Sequence, residues 1–248
     1  ELLRRNDEAG AADLFQKSLQ RPVDATLRVQ ALYWLADIAN RNEDYTSSIN
    51  YINQFLTLAG NVQGLPPQAS PYTANYLQGY NYLKQDNYPA ALEYFTATVE
   101  GIERNLPYIT DRDVRERVLG DAVLRAGDAH FSRNKYDQAA RFYDDAINRR
   151  TTGFVYALYQ KAMIEGLRNR NADKVIALEQ LVQQYPRSEY ADDALFQLAL
   201  TYQELQRPQQ SLTPLRTIVK DYKVNSPLVN QSLLQLGLIS YNLGNRDA

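Results

Sequence analysis

The sequence predicts an all-α chain, a right-handed superhelix of stacked antiparallel helix pairs. Three observations carry that prediction. The stretch Tyr72–Val99, YTANYLQGYNYLKQDNYPAALEYFTATV, reads as two short helices joined by the turn Gln85-Asp86-Asn87. Small Gly79 in its first helix and small Ala91 in its second let the two approach, and Tyr82 and Phe95 fill the wedge beside them. Ala91 and Phe95, four residues apart, share one helix face. A small residue early in a second helix then recurs along the chain, at Ala11, Ser48, Ala91, Ala139, Val175 and Ser211. By position number these marks lie 37, 43, 48, 36 and 36 residues apart. Finally, no segment keeps the period-two alternation of a half-buried strand.

Taken in order, residues 1–5 are expected to be the tail of a first helix, and Pro22 is expected to end the second helix that carries Ala11 and Phe15. Residues 24–41 place Leu32, Leu35, Ala36 and Ala39 on one stripe, and 45–59 do the same with Ile49, Ile52 and Phe55. GNVQGLPPQASP, at about 60–71, is rich in glycine and proline and reads as a loop inserted between repeats. Ser70-Pro71 gives an N-cap followed by proline at the first helical position. A second insertion falls near 105–112, where Thr110 and Asp113 have capping-box spacing. The next first helix runs to about Arg133 with Val123, Ala126, Gly127 and His130 inward, and its partner carries Tyr136, Ala139, Tyr143 and Ala146. Later pairs are expected around 157–186 and 188–222, with Ser188 as an N-cap. Pro214 should bend the last second helix or delay its start. Ser226-Pro227 opens a final first helix, and Asn242-Leu243-Gly244 matches the turn into a further partner. The chain is thus read as a single array of about six repeats spanning 1–248, partial at both ends and cut from a longer protein.

Composition narrows the function. The 248 residues carry a net charge of −2, 23% charged residues and 44% apolar ones. That balance argues against general nucleic-acid binding, which needs a clustered basic surface. No apolar run reaches the roughly 18 residues that would span a bilayer. Cysteine is absent and histidine occurs once, so there is no thiolate metal site, no cysteine nucleophile and no histidine pair. His130 falls where the pattern places a packing aromatic. Asp144-Asp145 and Asp192-Asp193 are neighbours that project about 100° apart on a helix, which suits a solvated face and a helix start better than a metal site. Glycines never form a phosphate-cradling run. The segment DRDVRERV intersperses both signs at helical spacing and reads as a salt-bridged face. No catalytic, metal or cofactor site is expected, and no cofactor.

The order small residue, aromatic, turn, small residue, aromatic in Tyr72–Val99 resembles the tetratricopeptide repeat. The resemblance implies first helices on an inner, concave wall and second helices outside. It also implies groove positions, carried over repeat by repeat: Tyr33, Asp37 and Arg41; Tyr76, Tyr80 and Lys84; Leu124, Asp128 and Phe131; Gln160, Ile164 and Arg168; Phe196, Leu200 and Gln203. Tyr45, Tyr88 and Tyr136 open second helices and are expected to pack, whereas Tyr33, Tyr76 and Tyr80 point toward the groove. A narrower likeness lies in QQYPRSEYADDALFQLALTYQ. Its Tyr185, Pro186, Ser188, Ala191, Asp192, Asp193 and Ala194 resemble a motif of tetratricopeptide proteins of the Gram-negative envelope, the outer-membrane-assembly lipoprotein and Tol-Pal coordinator type. That likeness implies a periplasmic or outer-membrane-associated chain, with the cytoplasm as the alternative. The function implied is a non-catalytic scaffold holding a partner peptide or helix in the groove. The alternative is a structural spacer or self-assembling array.

Overall fold

The computed structural model describes residues 7–21, 24–222 and 226–244. They form helices joined by turns, with no strand among the described residues. The chain divides into two compact units, Glu1–Thr152 and Gly153–Ala248. The first contains α1 (Glu8–Leu19), α2 (Ala25–Arg41), α3 (Tyr45–Ala59), α4 (Pro71–Leu83), α5 (Tyr88–Asn105), α6 (Leu119–Ser132) and α7 (Tyr136–Arg149). The second contains α8 (Phe154–Leu167), α9 (Asn171–Gln184), α10 (Ala191–Glu204), α11 (Pro208–Asp221) and α12 (Val229–Asn242). No helix among the described residues is long and apolar enough to cross a membrane.

One turn geometry joins every first helix to its second. Glu43, Asp86, Asn134, Asn169 and Gln206 all have positive φ, between 56° and 61°. In each case the amide of the next residue donates to a carbonyl five positions back, as in Asn87 N to Tyr82 O and Arg170 N to Glu165 O, both 2.9 Å. This left-handed closure satisfies carbonyls that the end of a helix would otherwise leave bare. Tyr88 and Tyr136 reinforce it, their hydroxyls donating to Asp86 Oδ1 at 2.9 Å and Asn134 Oδ1 at 2.8 Å.

Counting five residues on from each left-handed residue fixes the small position in the second helix. Ser48, Ala91, Ala139 and Ser211 fall on it, and all are fully buried. Ser48 and Ser211 donate their hydroxyls to the carbonyls of Ala36 and Ala199, 2.8 and 2.9 Å away, so the polar atom is satisfied at the crossing. The fourth repeat corrects the sequence reading, because the residue there is Lys174 and not Val175. Lys174 fits because it lies over Gly166, where a Cβ would come within 2.8 Å of the lysine Cδ. The stem is buried and the ammonium escapes sideways to Gln197 Oε1 at 3.1 Å. Burial pushes the Lys174 pKa down, and the nearby Glu204 charge partly offsets this.

At each crossing a small residue of the first helix meets a larger one four positions past the mark on the second. Gly79 meets Phe95, Gly127 meets Tyr143, and a Cβ on either glycine would lie 2.7–2.8 Å from the ring. Where the first helix carries alanine, the partner is aliphatic: Ala36 with Ile52, Ala162 with Leu178, Ala199 with Leu215, all fully buried. Neighbouring repeats close the core. Ala91 and Phe95 pack with Ala122 and Ala126 of α6 in the first unit. Leu178 and Leu181 pack with Ala194 and Leu198 of α10 in the second.

Ser70 and Thr73 form a reciprocal capping box at the start of α4, with Pro71 as first residue, as the sequence indicates. Asp111, and not Thr110, caps the segment before α6, accepting from the amides of Asp113 at 2.8 Å and Val114 at 3.2 Å. Ser188 caps nothing, since α10 begins three residues later and the Ser188 hydroxyl is buried without a partner. Pro214 does not delay the start of α11, which begins at Pro208 and runs through it. α12 begins at Val229 rather than at Pro227, with Ser226 Oγ accepting from Leu228 N at 3.1 Å. The expectations for residues 1–5, Pro22 and the turn's continuation past Gly244 lie outside the described residues.

A contrast between two glycines tests these crossings. Gly127→Ala forces a methyl against the Tyr143 ring and should cost about 1–3 kcal/mol. Gly237→Ala meets nothing within 4 Å and should stabilise α12 by up to about 1 kcal/mol through helix propensity. Urea denaturation of both variants measures the difference, and equal losses would contradict the packing described.

Candidate functional site

A recess lies in the first unit, on α2, α4 and the segment that leads into α6. It encloses about 420 Å3 and is lined by Tyr33, Asp37, Asn40 and Arg41 of α2 and Thr73, Tyr76, Leu77 and Tyr80 of α4. Gln68, Asp111, Asp113, Val114, Arg117 and Val118 complete it. Helical periodicity sets the α4 wall, because Tyr76 and Tyr80 are four apart and share a face with Thr73. Both tyrosines lean on Phe95, at ring-centroid distances of 6.2 and 5.3 Å, and on each other at 5.1 Å. Their hydroxyls converge on Asp121 Oδ2, at 2.8 Å for Tyr76, with Tyr80 closer still. Arg125 Nε donates to the other oxygen of the same carboxylate at 3.3 Å. Burial raises the pKa of both phenols well above the usual value, and the Asp121 charge raises it further. The tyrosines are therefore neutral donors locked in place, with ring surface left toward the recess.

The α2 wall differs. Tyr33 is buried, edge-on to Trp34 at 5.2 Å and tilted against Phe55 at 5.7 Å. Burial and the Asp37 charge push its phenol up to about 12. Asp37 receives Arg41 Nη2 at 2.5 Å, and Arg41 also reaches Glu8 Oε1 at 3.3 Å. Burial outweighs Arg41 and raises the Asp37 pKa. Behind this wall runs a buried amide network. Asn40 Nδ2 donates to Asn81 Oδ1 at 2.9 Å, and Asn81 Nδ2 donates to Ser48 Oγ at 2.9 Å and Gln78 Oε1 at 3.1 Å. Such a network holds α2 and α4 in one register, since a slip would strand several buried polar atoms.

The third wall is the insertion. From Val114 to Val118 the backbone widens to i→i+5 bonding before α6 begins, a distortion frequent at functional sites. Arg117 is fixed by Asp113 at 2.6 Å and Arg112 by Glu116 at 3.0 Å, so DRDVRERV forms the expected ion pairs. Gln68 Nε2 donates to Asp111 Oδ2 at 2.7 Å and ties the first insertion to the second.

Of the residues carried over as groove positions, Tyr33, Asp37, Arg41, Tyr76 and Tyr80 come together here, while Lys84 is exposed and does not line the recess. Leu124 is buried. Asp128 receives Tyr143 Oη at 2.7 Å and also Arg125. Phe131 is half-buried, edge-on to Tyr136. In the second unit the shift to Lys174 moves the frame by one residue, onto Tyr159, Met163 and Leu167. Ile164 is accordingly fully buried and offers nothing to a partner. Gln160 is half-buried, and Arg168 lies 3.5 Å from Glu165. Phe196 packs beside Ala199 and Leu215. Leu200 and Gln203 are half-buried, and the Gln203 amide nitrogen is buried without a hydrogen-bond partner. His130 stacks on Phe142 at 5.4 Å as a packing residue, and burial lowers its pKa. No cluster of three potential metal ligands occurs among the described residues. The insertion residues were missed because they precede the repeat frame; the interspersed charges of DRDVRERV were their one signal.

Comparison with known families agrees with this frame. Two family models described as tetratricopeptide repeat match, one at residues 121–150, 156–188 and 193–223, the other at 29–62. This chain is built on tetratricopeptide repeats. The three matches of the first family begin 18 residues before Ala139, Lys174 and Ser211, which supports Lys174 in place of Val175 as the fifth mark. No curated protein matches the chain. Among solved structures, the apo form of RapI is similar at 13% identity and a TM-score of 0.65, covering 99% of this chain and 73% of that one. The apo form of the quorum sensor NprR from B. thuringiensis is similar at 14% identity and 0.66, covering 99% and 68%. YrrB, a tetratricopeptide protein with an unusual peptide-binding site, is similar at 15% identity and 0.59, covering 92% and 98%. At these identities the likeness establishes the fold, a tetratricopeptide-type helical solenoid.

The shared Asp121 contact is open to titration. In Asp121→Asn the phenols of Tyr76 and Tyr80 lose an adjacent negative charge, so both should ionise at lower pH than in the parent chain. Ultraviolet difference titration reads tyrosinate formation directly. An unchanged alkaline profile would show that Asp121 does not hold these hydroxyls.

Proposed function

We propose that this chain is a non-catalytic interaction scaffold and that the recess of the first unit holds a peptide segment of a partner protein. The observation that carries this reading is the composition of the recess. Rigid tyrosine rings offer contact area at low entropic cost. Acid–base pairs at Asp37/Arg41 and Asp113/Arg117 sit at its edge, able to exchange partners with a peptide's own charges and amides. The peptide-binding site of YrrB is consistent with the same use of this fold.

The alternative, a spacer or self-assembling array, finds support in the exposed apolar face of α12, where Leu233, Leu234, Leu238 and Tyr241 are each at least half exposed. The envelope reading rests on Tyr185-Pro186 and the Ala191-Asp192-Asp193-Ala194 helix start. Fractionation of native cells tests it, and recovery in the cytosol would contradict it.

Peptides selected from a random displayed library against the full chain provide the test of binding. Arg117→Ala and Gln68→Ala alter the rim without opening the core, and each should weaken selected peptides by about threefold or more. Arg216→Ala, on α11 of the second unit, should leave them unchanged. Peptides that bind all four proteins equally in calorimetric titration would place recognition outside the recess.

A further inference from the structure

A pocket elsewhere in the first unit shares no lining residue with the peptide recess and carries the opposite balance of charge. It lies where the chain leaving α7 passes the start of α6, and it encloses about 400 Å3. Arg115, Arg149 and Arg150 line it, against the single carboxylate of Glu116. Glu116 is already committed, both of its oxygens accepting from Arg112 Nε at 3.0 Å. Arg149 is likewise held, by Asp145 at 2.7 Å and Glu103 at 2.5 Å. The guanidiniums of Arg115 and Arg150 have no hydrogen bond or ion pair among the described residues. Two unmated cations thus line one pocket of a chain whose net charge is −2.

Local packing fixes the pocket. Thr151 seats on the bare backbone of Gly120, where a Cβ would come within 2.8 Å of the threonine Cβ. Its amide and its hydroxyl both donate to Ala146 O, at 3.1 and 3.3 Å. Arg150 has a φ of +50°, and among the described residues it is the only non-glycine with positive φ outside the turns within repeats. Glycine or asparagine would hold that left-handed position at lower cost. Turn chemistry therefore does not account for an arginine there. Leu119 adds an apolar wall and Thr152 a further hydroxyl.

We infer that this pocket binds a phosphate group, either free or carried by a phosphorylated side chain of a partner. Guanidinium forks donate paired hydrogen bonds to phosphate oxygens and stay charged at neutral pH. A bound dianion also offsets the mutual repulsion of three cations around one pocket. The volume lies within the range of ligand pockets and leaves room for the group that bears the phosphate. The widened turn at Val114–Val118 thus lends Arg117 to the peptide recess and Arg115 to this pocket. Either reading can fail without the other.

Calorimetric titration of the full chain in a constant chloride background tests the site. The probes are sodium phosphate, a short phosphoserine peptide and its unphosphorylated twin. Saturable binding of phosphate and phosphopeptide is expected, with none of the twin. Arg115→Gln and Arg150→Asn should each weaken it about tenfold, the loss of one charged hydrogen-bonding partner. Arg216→Gln, on α11, should leave it unchanged. Phosphopeptide binding at least tenfold tighter than phosphate would assign the group to a partner's side chain, and equal affinities would assign it to the free ion. Absence of saturable binding would overturn the inference. So would affinities that ignore both pocket variants, since that pattern would mean unspecific screening, or a twin that binds as tightly as the phosphopeptide. Arg115 is exposed and asparagine suits the left-handed turn, so both variants keep the fold, which circular dichroism checks.

Discussion

The structure depends on how closely two helices of a pair can approach. A first helix presents glycine or alanine, a second helix presents serine or alanine at its mark (lysine in α9), and the volume removed from one side is returned by a larger side chain on the other. Interiors pack at crystal-like density, so such exchanges are tightly constrained. Glycine is met by Phe95 or Tyr143, alanine by Ile52, Leu178 or Leu215. The left-handed turn residue sets the phase of the second helix, and the crossing follows from that phase. Within each unit, neighbouring pairs then bury their remaining apolar faces against one another, as repeat architectures require.

The recess grows from the same constraint. Because Gly79 draws Phe95 close, Tyr76 and Tyr80 on the neighbouring turns of α4 rest on that ring and extend toward Asp121 of α6. Two phenols on one carboxylate leave little rotational freedom, so ring surface is presented in a fixed orientation. The amide network through Asn40, Asn81, Ser48 and Gln78 fixes the opposite wall, and the widened helical turn at Val114–Val118 brings Arg117 and Val118 to the third. Repeats without inserted segments have no such third wall, which is why the recess forms here within the first unit.

Much of this was legible in the residues. Helix bounds at 45–59, the cap at Ser70, the tyrosines that open α3, α5 and α7 and the inward face of α6 all follow from periodicity and turn chemistry. The fourth repeat did not, because a lysine at a small-residue position contradicts residue type while satisfying geometry: its stem needs Gly166, and that compensation is invisible unless the two are known to touch. Asn169, five residues before Lys174, was the available signal, matching Asp86 and Asn134 in their turns. Ser188 misled in the opposite direction, since a residue of capping type preceded a helix that starts three residues later. Tyr76 and Tyr80 were placed on the recess side by their offset, but their anchoring on Asp121 was not visible, because it joins residues 41 and 45 positions apart. That anchoring gives them a structural duty as well as an exposed face.

The most direct measure of the size-matching constraint is a double-mutant cycle at Gly79 and Phe95, read by equilibrium denaturation. Gly79→Ala overpacks the crossing and Phe95→Leu underpacks it, so each alone should destabilise the chain by about 1–3 kcal/mol. Together they reproduce the alanine–leucine pairing of α8 with α9. The double variant should therefore lose at least about 1 kcal/mol less than the sum of the single losses. Strict additivity would show that the two side chains do not compensate each other and would contradict the crossing as the element that organises this fold.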